Sequence, residues 1–285
     1  MNDSILRAEN LSKKYGRIEA VRGATFSLPR NKITAFLGEN GAGKTTTLKL
    51  ILGFLRPDSG RIDMGDCRIG YVSERPAFFD WLKGKDIITL TARRPGIQKQ
   101  SLPQKIENLC QKILFDPNLL ERNVQTYSLG NQKKFSYLQS LVISPDLLIV
   151  DEPFSSLDPP SIKSVRDLFG ELKKEGRTVF LSSHLVSEVE KICDEFIIIS
   201  KGDIIVQENL NRIKETFVLV HLEKSRVEKE KLKAFSSYLK EENSFFQLLV
   251  EKNLLHKLKA FLGESKEAVT IITLDLETIF LFFAR

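Results

Sequence analysis

The chain has 285 residues, of which 42% are hydrophobic and 28% are charged, and its formal net charge is +6. This length exceeds one average domain and falls short of three, and the composition is ordinary for a globular protein with an apolar core. The apolar runs stay far below the ~18 residues that predict a membrane-spanning helix. Residues 1–4 lack the basic and apolar segments of a signal peptide, so we expect the protein to remain in the cytoplasm.

The positive charge is the only compositional feature that raises the question of nucleic acid. The Lys and Arg residues are dispersed along the chain and are not gathered into one basic stripe. Such a distribution also suits a protein that lies beneath an anionic membrane leaflet. We therefore expect no direct contact with DNA or RNA.

The first predicted strands and the first predicted helix lie near the amino terminus. Residues 24–28 alternate in polarity as a half-buried antiparallel strand does, and residues 33–37 read as the next strand. A glycine-rich loop follows, and then a helix at about residues 44–52. Residues 76–126 are rich in helix formers, interrupted at Pro95 and Gly96 and again at Pro117, which predicts a helical insertion.

Continuous apolar runs then alternate with helical segments at residues 147–150, 178–181 and 196–199. Such runs predict buried strands of a mostly parallel sheet, and hence an α/β fold. After about Leu210 the predicted elements are a strand at 217–222, a helix at 226–240, strands at 245–250 and 269–274, and a helix between those two strands. We predict one domain over residues 1–209, with a helical part at about 76–135, and a small α/β appendage over residues 210–285.

The strongest local signal is a phosphate-binding loop between the strand at 33–37 and the following helix. Glycines let the backbone wrap closely around a phosphate, and a helix amino terminus supplies aligned N–H groups. Lys44 would reach the β- and γ-phosphates, and the Thr45 hydroxyl would bind Mg²⁺. The predicted ATP contacts here are Gly38, Glu39, Asn40, Gly41, Ala42, Gly43, Lys44, Thr45 and Thr46.

A second signal is the pair Asp151 and Glu152, which directly follows the apolar run at 147–150. In nucleotide-hydrolysing enzymes a carboxylate at the end of a buried strand holds Mg²⁺, usually through a water molecule, and we assign this role to Asp151. Glu152 would act as the general base that polarises the attacking water. Alone, an apolar run that ends in Asp-Glu is also simply the end of a strand or helix.

Two further segments narrow the family. Tyr127-Ser128-Leu129-Gly130-Asn131-Gln132 precedes Asp151, and Leu181-Ser182-Ser183-His184 follows it at the end of a predicted strand. With these segments the chain resembles the ATP-binding cassette (ABC) domain from about Ile5 to Gln207. The resemblance implies a P-loop ATPase fold with a RecA-like, mostly parallel core, an antiparallel β subdomain and a helical signature subdomain.

The resemblance also implies roles for single residues. Tyr15 matches the aromatic residue that stacks on adenine, although it also fits a partly buried strand tyrosine. His184 matches the switch histidine at the γ-phosphate, although an isolated histidine is more often structural. Ser128 and Gly130 match the signature residues that contact the ATP held by the opposite cassette. Glu74 stands where most members have a glutamine that contacts Mg²⁺.

The same resemblance implies partners. Two cassettes, as a homodimer or as a paired cassette, would bind ATP head to tail and would drive a separate transmembrane permease at the cytoplasmic face of the membrane. The departures Glu74 and Leu129 resemble the exporter branch that pairs with ABC-2 type permeases. The permease would dock near Phe78, Phe79 and Trp81, although these aromatic residues also fit a hydrophobic core.

Two other classes of protein are weaker alternatives. A soluble ABC-type ATPase acting on ribosomes or nucleic acid usually carries two cassettes in one chain or long coiled-coil insertions, and neither is present. A GTPase or small-molecule kinase would leave the signature segment and His184 unexplained. The transported cargo is not readable from the chain, because the permease selects it.

Overall fold

The computed structural model describes residues 4–79, 81–93, 99–224, 227–236, 238–262 and 269–284. Contacts between residues divide the chain into two units, Met1–Gln207 and Glu208–Arg285. The predicted interruption at Pro95 and Gly96 lies outside the described residues. Within the described ranges, we find no helix that combines the length and the apolar character needed to cross a membrane.

The strands that begin in the first unit are β1 Ser4–Tyr15, β2 Ile18–Pro29, β3 Ile33–Leu37, β4 Ser59–Asp63, β5 Ile69–Val72, β6 Leu147–Asp151, β7 Thr178–Ser182, β8 Glu195–Ser200 and β9 Asp203–Asn209. Its α-helices are α1 Lys44–Ile51, α2 Gly84–Thr91, α3 Leu102–Lys112, α4 Leu129–Leu141, α5 Pro159–Lys174 and α6 Val186–Glu190. The mixture of strands and helices confirms the predicted α/β class.

A six-stranded sheet in the order β5-β6-β7-β3-β8-β9 forms the centre of this unit. The pairs β5–β6, β6–β7, β7–β3 and β3–β8 are all parallel. Every residue of β3, β6 and β7 is buried, which explains why these strands appear in the sequence as continuous apolar runs. All three are found within one residue of their predicted positions.

A smaller antiparallel sheet in the order β2-β1-β4 packs against the central sheet. The ring centroids of Phe26 on β2 and Phe36 on β3 lie 6.0 Å apart, and those of Phe36 and Phe180 on β7 lie 5.4 Å apart. An apolar core cluster of the first unit therefore lies between the two sheets. The polar loops follow the carboxyl ends of the central strands.

The second unit contains α7 Leu210–Thr216, β10 Phe217–Glu223, α8 Lys229–Leu232, β11 Leu239–Glu241, β12 Phe245–Glu251, α9 Leu255–Leu262, β13 Val269–Ile272 and α10 Leu276–Ala284. Its four strands form one sheet in the order β11-β12-β10-β13, and every neighbouring pair is antiparallel. Between β10 and β13 the chain order is β-α-β-β-α-β, which with this strand order is the ferredoxin-like arrangement.

The helix predicted for residues 226–240 is wrong over most of its length. Only Lys229–Leu232 is α-helical, and Leu239–Glu241 is an edge strand. Leu239 pairs with Leu248 of β12, so these backbone groups find sheet partners. The apolar spacing that suggested a longer helix arises because Leu232, Phe235 and Leu239 all pack into the core of this unit. Residues 226 and 237 lie outside the described residues.

Candidate functional site

A cavity of about 380 Å³ lies at the carboxyl ends of β3, β5, β6 and β7. Because parallel strands end at the same edge of a sheet, the polar residues that follow them meet there. The lining residues are Ala20, Asn40, Gly41, Gly43, Lys44, Thr45, Thr46, Glu74, Asp151, Glu152 and His184. Five separate sequence segments are thus brought into one site.

The phosphate loop joins β3 to α1 and needs two glycines for its backbone path. Gly41 has φ +81° and Gly43 has φ +110°, a region that side chains with a Cβ rarely adopt. A Cβ on Gly43 would lie 2.3 Å from the carbonyl oxygen of Ala20. The backbone N–H of Thr47 donates to the Gly43 carbonyl at 2.9 Å, which starts α1 directly at the loop.

Lys44 is buried at the base of this loop, only 8% exposed. Its ammonium group donates hydrogen bonds to the carbonyl oxygens of Gly38 at 2.6 Å and Glu39 at 3.1 Å. Burial lowers the pKa of Lys44, and the nearby carboxylates of Glu152 and Asp151 oppose that shift. The loop therefore holds a cation at the point where phosphate oxygens would meet N–H groups.

Asp151 ends β6 and is 4% exposed. Its Oδ2 lies 3.5 Å from the hydroxyl oxygen of Thr45, and its Oδ1 accepts a hydrogen bond from Ser182 at the end of β7. Two strand ends and the start of α1 thus place a carboxylate and a hydroxyl side by side. This arrangement provides hard oxygen donors of the kind that Mg²⁺ binds.

Glu152 follows Asp151 with φ +50°, an uncommon backbone conformation for a residue with a Cβ. Its N–H donates to the Ser182 carbonyl at 3.0 Å, which holds the backbone in this conformation. The side-chain Oε2 lies 2.7 Å from Nδ1 of His184 and accepts a hydrogen bond from the His184 N–H at 3.3 Å. The predicted base and the predicted switch residue are therefore in direct contact.

Some predicted site residues lie away from this cavity. Tyr15 ends β1, is 47% exposed and is not part of the cavity lining. Ser128 is the N-cap of α4, where its hydroxyl accepts from the Asn131 N–H at 3.2 Å. Gly130 lies in the first turn of the same helix, and neither signature residue lines the cavity of its own chain. Leu129 is helical and 70% exposed, so no glycine is needed there.

Three residues near the site were not predicted from the sequence. Ala20 lines the cavity from β2, and Ser182 holds Asp151 from β7. Lys133 of α4 is 1% exposed and donates to the carbonyl oxygens of Ser73 and Asp151. A small residue in a strand gives no sequence signal of its own. The pair Lys133-Lys134 looks like a solvated helix face, because burial of a lysine is not visible in the sequence.

Comparison with known proteins agrees with this geometry. The sequence model of the ABC transporter family matches residues 21–155. YxlF of Bacillus subtilis, an uncharacterised ABC transporter ATP-binding protein, is 34% identical over 217 residues, which cover 74% of this chain and 73% of YxlF. The bacitracin transport ATP-binding protein BcrA of Bacillus licheniformis is 32% identical over 224 residues, covering 74% of this chain and 72% of BcrA.

A solved structure of an ATP-binding subunit of an ABC transporter superposes with a TM-score of 0.69 at 27% identity, covering 74% of this chain and 92% of that one. These matches confirm the predicted fold and carry no support for the alternative of a ribosome- or nucleic-acid-directed ATPase. The same family is indicated by the phosphate loop, by the Asp-Glu pair and by the match to relatives along most of their length. The chain therefore belongs to the ATP-binding proteins of ABC transporters and is an ATPase.

Proposed function

We propose that the chain drives a separate membrane permease by ATP-dependent pairing of two cassettes, and that Glu152 is the general base of its ATP hydrolysis. One observation carries the proposal. The phosphate loop, the Asp151-Glu152 pair and His184 come from three distant segments and line one cavity. A nucleotide-hydrolysing site needs these chemical groups together: N–H donors, a cation, a carboxylate for the metal and a base.

The phosphate loop binds the ATP phosphates in this proposal. The Gly41 and Gly43 conformations turn the backbone tightly around the position of the phosphates, at the amino terminus of α1. Lys44 supplies the positive charge, and Thr46 lines the same cavity. Tyr15 stacks on the adenine outside the phosphate cavity, a role that rests on the family resemblance alone.

The residues beside the loop suit Mg²⁺. Thr45 and Asp151 hold their oxygen atoms 3.5 Å apart, and the Glu74 carboxylate lines the same cavity. Mg²⁺ sites typically contain only a few protein oxygen ligands and are completed by water and phosphate oxygens. Thr45, Asp151 and Glu74 would hold the ion, which would neutralise negative charge on the phosphates.

Glu152 positions the attacking water and accepts its proton. The contact of 2.7 Å with His184 Nδ1 fixes the direction of the Glu152 carboxylate, and the Ser182 carbonyl fixes its backbone. A positioned base of this kind lowers the barrier without any covalent intermediate. His184 is more than half exposed and lines the same cavity, and we assign it the contact with the γ-phosphate on the family resemblance.

The second cassette completes the site. Ser128 and Leu129 are exposed at the amino terminus of α4, whose N–H groups suit an anionic ligand. These groups do not line the cavity of their own chain. On the family resemblance we assign them to the ATP that a second copy holds. ATP thus joins the two subunits, and its hydrolysis separates them.

The permease partner rests on relatives, and the direction of transport rests on the resemblance of Glu74 and Leu129 to the exporter branch. BcrA, which the chain resembles over 74% of its length, is a bacitracin transport protein by name. We infer an exporter role and a position at the cytoplasmic face of the membrane, held there by the permease. The docking surface is the exposed aromatic pair Phe79 and Trp81.

The test of this function is Glu152→Gln. The variant should bind ATP but hydrolyse it at least ~10²-fold more slowly than the wild type, the low end for the loss of a positioned base. It should also accumulate as an ATP-bound dimer, which size-exclusion chromatography with ATP detects. Steady-state phosphate release measures the rate.

Glu230→Gln is the matched control, because Glu230 lies exposed in α8 of the second unit. It should hydrolyse ATP at the wild-type rate. If Glu152→Gln also turns over ATP at that rate, Glu152 is not the base. If neither protein binds ATP, the nucleotide site itself has been assigned incorrectly.

A further inference from the structure

Lys133 is a buried lysine that the proposed chemistry does not use. It lies in the second turn of α4, five residues after the N-cap Ser128, and is 1% exposed. Its Nζ donates to the carbonyl oxygen of Ser73 at 2.8 Å and to that of Asp151 at 2.9 Å. A lysine ammonium is almost never fully buried without partners, so this one has a specific reason to be there.

The two carbonyl acceptors belong to the ends of neighbouring strands. Ser73 follows β5 and precedes Glu74, and Asp151 ends β6 and precedes Glu152. One side chain therefore connects three segments: helix α4, the backbone that carries Glu74, and the backbone that carries the Asp-Glu pair.

The buried ammonium keeps two carbonyl acceptors and has three carboxylates nearby. Burial lowers the pKa of Lys133 to about 8, while the carboxylates of Asp151, Glu152 and Glu74 act in the opposite direction. The same three carboxylates face Lys44 across the cavity. Beside a triphosphate bound without Mg²⁺ these carboxylates would repel the ligand, and Lys44 balances only one of the three.

We propose that Lys133 is a positioning residue: it ties the first turns of α4 to the ends of β5 and β6, and its charge offsets the Glu74 carboxylate beside the ATP phosphates. This inference rests on the proposed nucleotide site. It makes Lys133 and Glu74 a matched pair, in which the negative charge of one is tolerable for ATP binding because of the positive charge of the other.

A double-mutant cycle tests the pair in the full-length chain. The variants are Lys133→Gln, Glu74→Gln and the double variant, and the measurement is the Kd of a fluorescent ATP analogue in EDTA. Withholding Mg²⁺ removes any contribution of Glu74 as a metal ligand. Lys133→Gln should weaken binding about tenfold, and Glu74→Gln in the same chain should restore most of it, a coupling of the size found between neighbouring groups.

Lys134→Gln is the matched control, since Lys134 is the adjacent lysine of α4 and donates to the Leu114 carbonyl away from the cavity. It should bind the analogue as the wild type does. Additive losses in the cycle, or an unchanged Kd in Lys133→Gln, would overturn the proposal. A purely structural lysine would lower the melting temperature and the affinity together, with no restoration by Glu74→Gln.

If Lys133→Gln does not fold, Lys133→Met replaces it in the cycle, because methionine is unbranched and fills a similar space without charge. The expected restoration by Glu74→Gln is the same. A wild-type chain that does not bind the analogue at all counts against the proposed nucleotide site. Normal wild-type binding without coupling between Lys133 and Glu74 counts against the Lys133 assignment alone.

Discussion

At the scale of single residues, the phosphate loop depends on backbone conformations that only glycine adopts easily. Gly43 has φ +110°, and a Cβ there would lie 2.3 Å from the Ala20 carbonyl oxygen. Gly41 has φ +81° but has open space where its Cβ would lie. Substitution of Gly41 therefore introduces backbone strain alone, whereas substitution of Gly43 introduces backbone strain together with a steric clash.

We predict that Gly43→Ala destabilises the nucleotide-free chain more than Gly41→Ala does. A left-handed conformation costs a residue with a Cβ roughly 1–2 kcal/mol, and this is the whole expected effect at Gly41. At Gly43 the contact with backbone atoms adds to it, because those atoms cannot move aside cheaply. Thermal melting without nucleotide measures the difference.

For a unit of this size, each kcal/mol corresponds to about 2–4 °C in melting temperature. Gly170→Ala is a useful reference, since Gly170 lies inside α5 with an ordinary φ and no atom within 4 Å of its Cβ position. It should not lower the melting temperature. Equal losses for Gly41→Ala and Gly43→Ala would disprove the steric part of this argument.

At the scale of elements, the loop after β5 contains aromatic residues with different environments. Phe78 is half-buried, and its ring centroid lies 5.1 Å from that of Phe135 on α4. Phe79 and Trp81 are 62% and 72% exposed, with ring centroids 5.3 Å apart. The alternative that all three rings belong to the core therefore holds only for Phe78.

We predict that Phe79→Ala or Trp81→Ala weakens association with the permease and leaves the basal ATPase unchanged. Exposed aromatic residues are favoured anchors in protein contacts, and truncating one typically costs ~2 kcal/mol or more. The measurement is the fraction of the chain that sediments with membranes of the native cells. Phosphate release by the purified variants measures the basal rate.

Phe261→Ala is the control, because Phe261 is also about half exposed but lies on α9 of the second unit. It should sediment with membranes as the wild type does. If Phe79→Ala and Trp81→Ala melt normally and still sediment with membranes, the permease docks elsewhere. A wild-type chain found with ribosomes and never with membranes would refute the transporter role.

At the scale of the whole molecule, one chain holds only part of each proposed ATP site. Lys44 lies in the cavity, and Ser128 does not line it. We predict that Ser128→Arg binds ATP as a monomer but neither dimerises nor hydrolyses it. Lys44→Ala should also fail to hydrolyse ATP, because its phosphate loop lacks the cation although its Ser128 is intact.

Mixing these two variants should restore hydrolysis. A mixed dimer combines the intact phosphate loop of one chain with the intact signature of the other, so one of its two sites is complete. In an equal mixture about half of the dimers are mixed. Because each mixed dimer has one of its two sites intact, the expected rate is about a quarter of the wild-type rate. Mixing Ser128→Arg with the double variant Lys44→Ala/Ser128→Arg should restore nothing. If both mixtures are equally inactive, the facing-dimer arrangement loses its support.

Local patterns in the sequence were sufficient for much of the first unit. The continuous apolar runs predicted β6, β7 and β8, since a strand buried on both faces carries no polar residues. The glycine spacing predicted the phosphate loop, because that backbone path excludes most other residues. The resemblance to the ABC domain also implied that Lys44, Asp151 and His184 serve one nucleotide site.

Contacts between distant segments were decided only by the tertiary structure. The end of the helix predicted at 226–240 is instead the edge strand Leu239–Glu241, because Leu239 finds a backbone partner 9 residues away at Leu248 of β12. Lys133 resembles its neighbour Lys134 in the sequence, yet only Lys133 is enclosed by the ends of β5 and β6. The sequence records the chemical type of each side chain, whereas burial and pairing depend on which other segments pack against it.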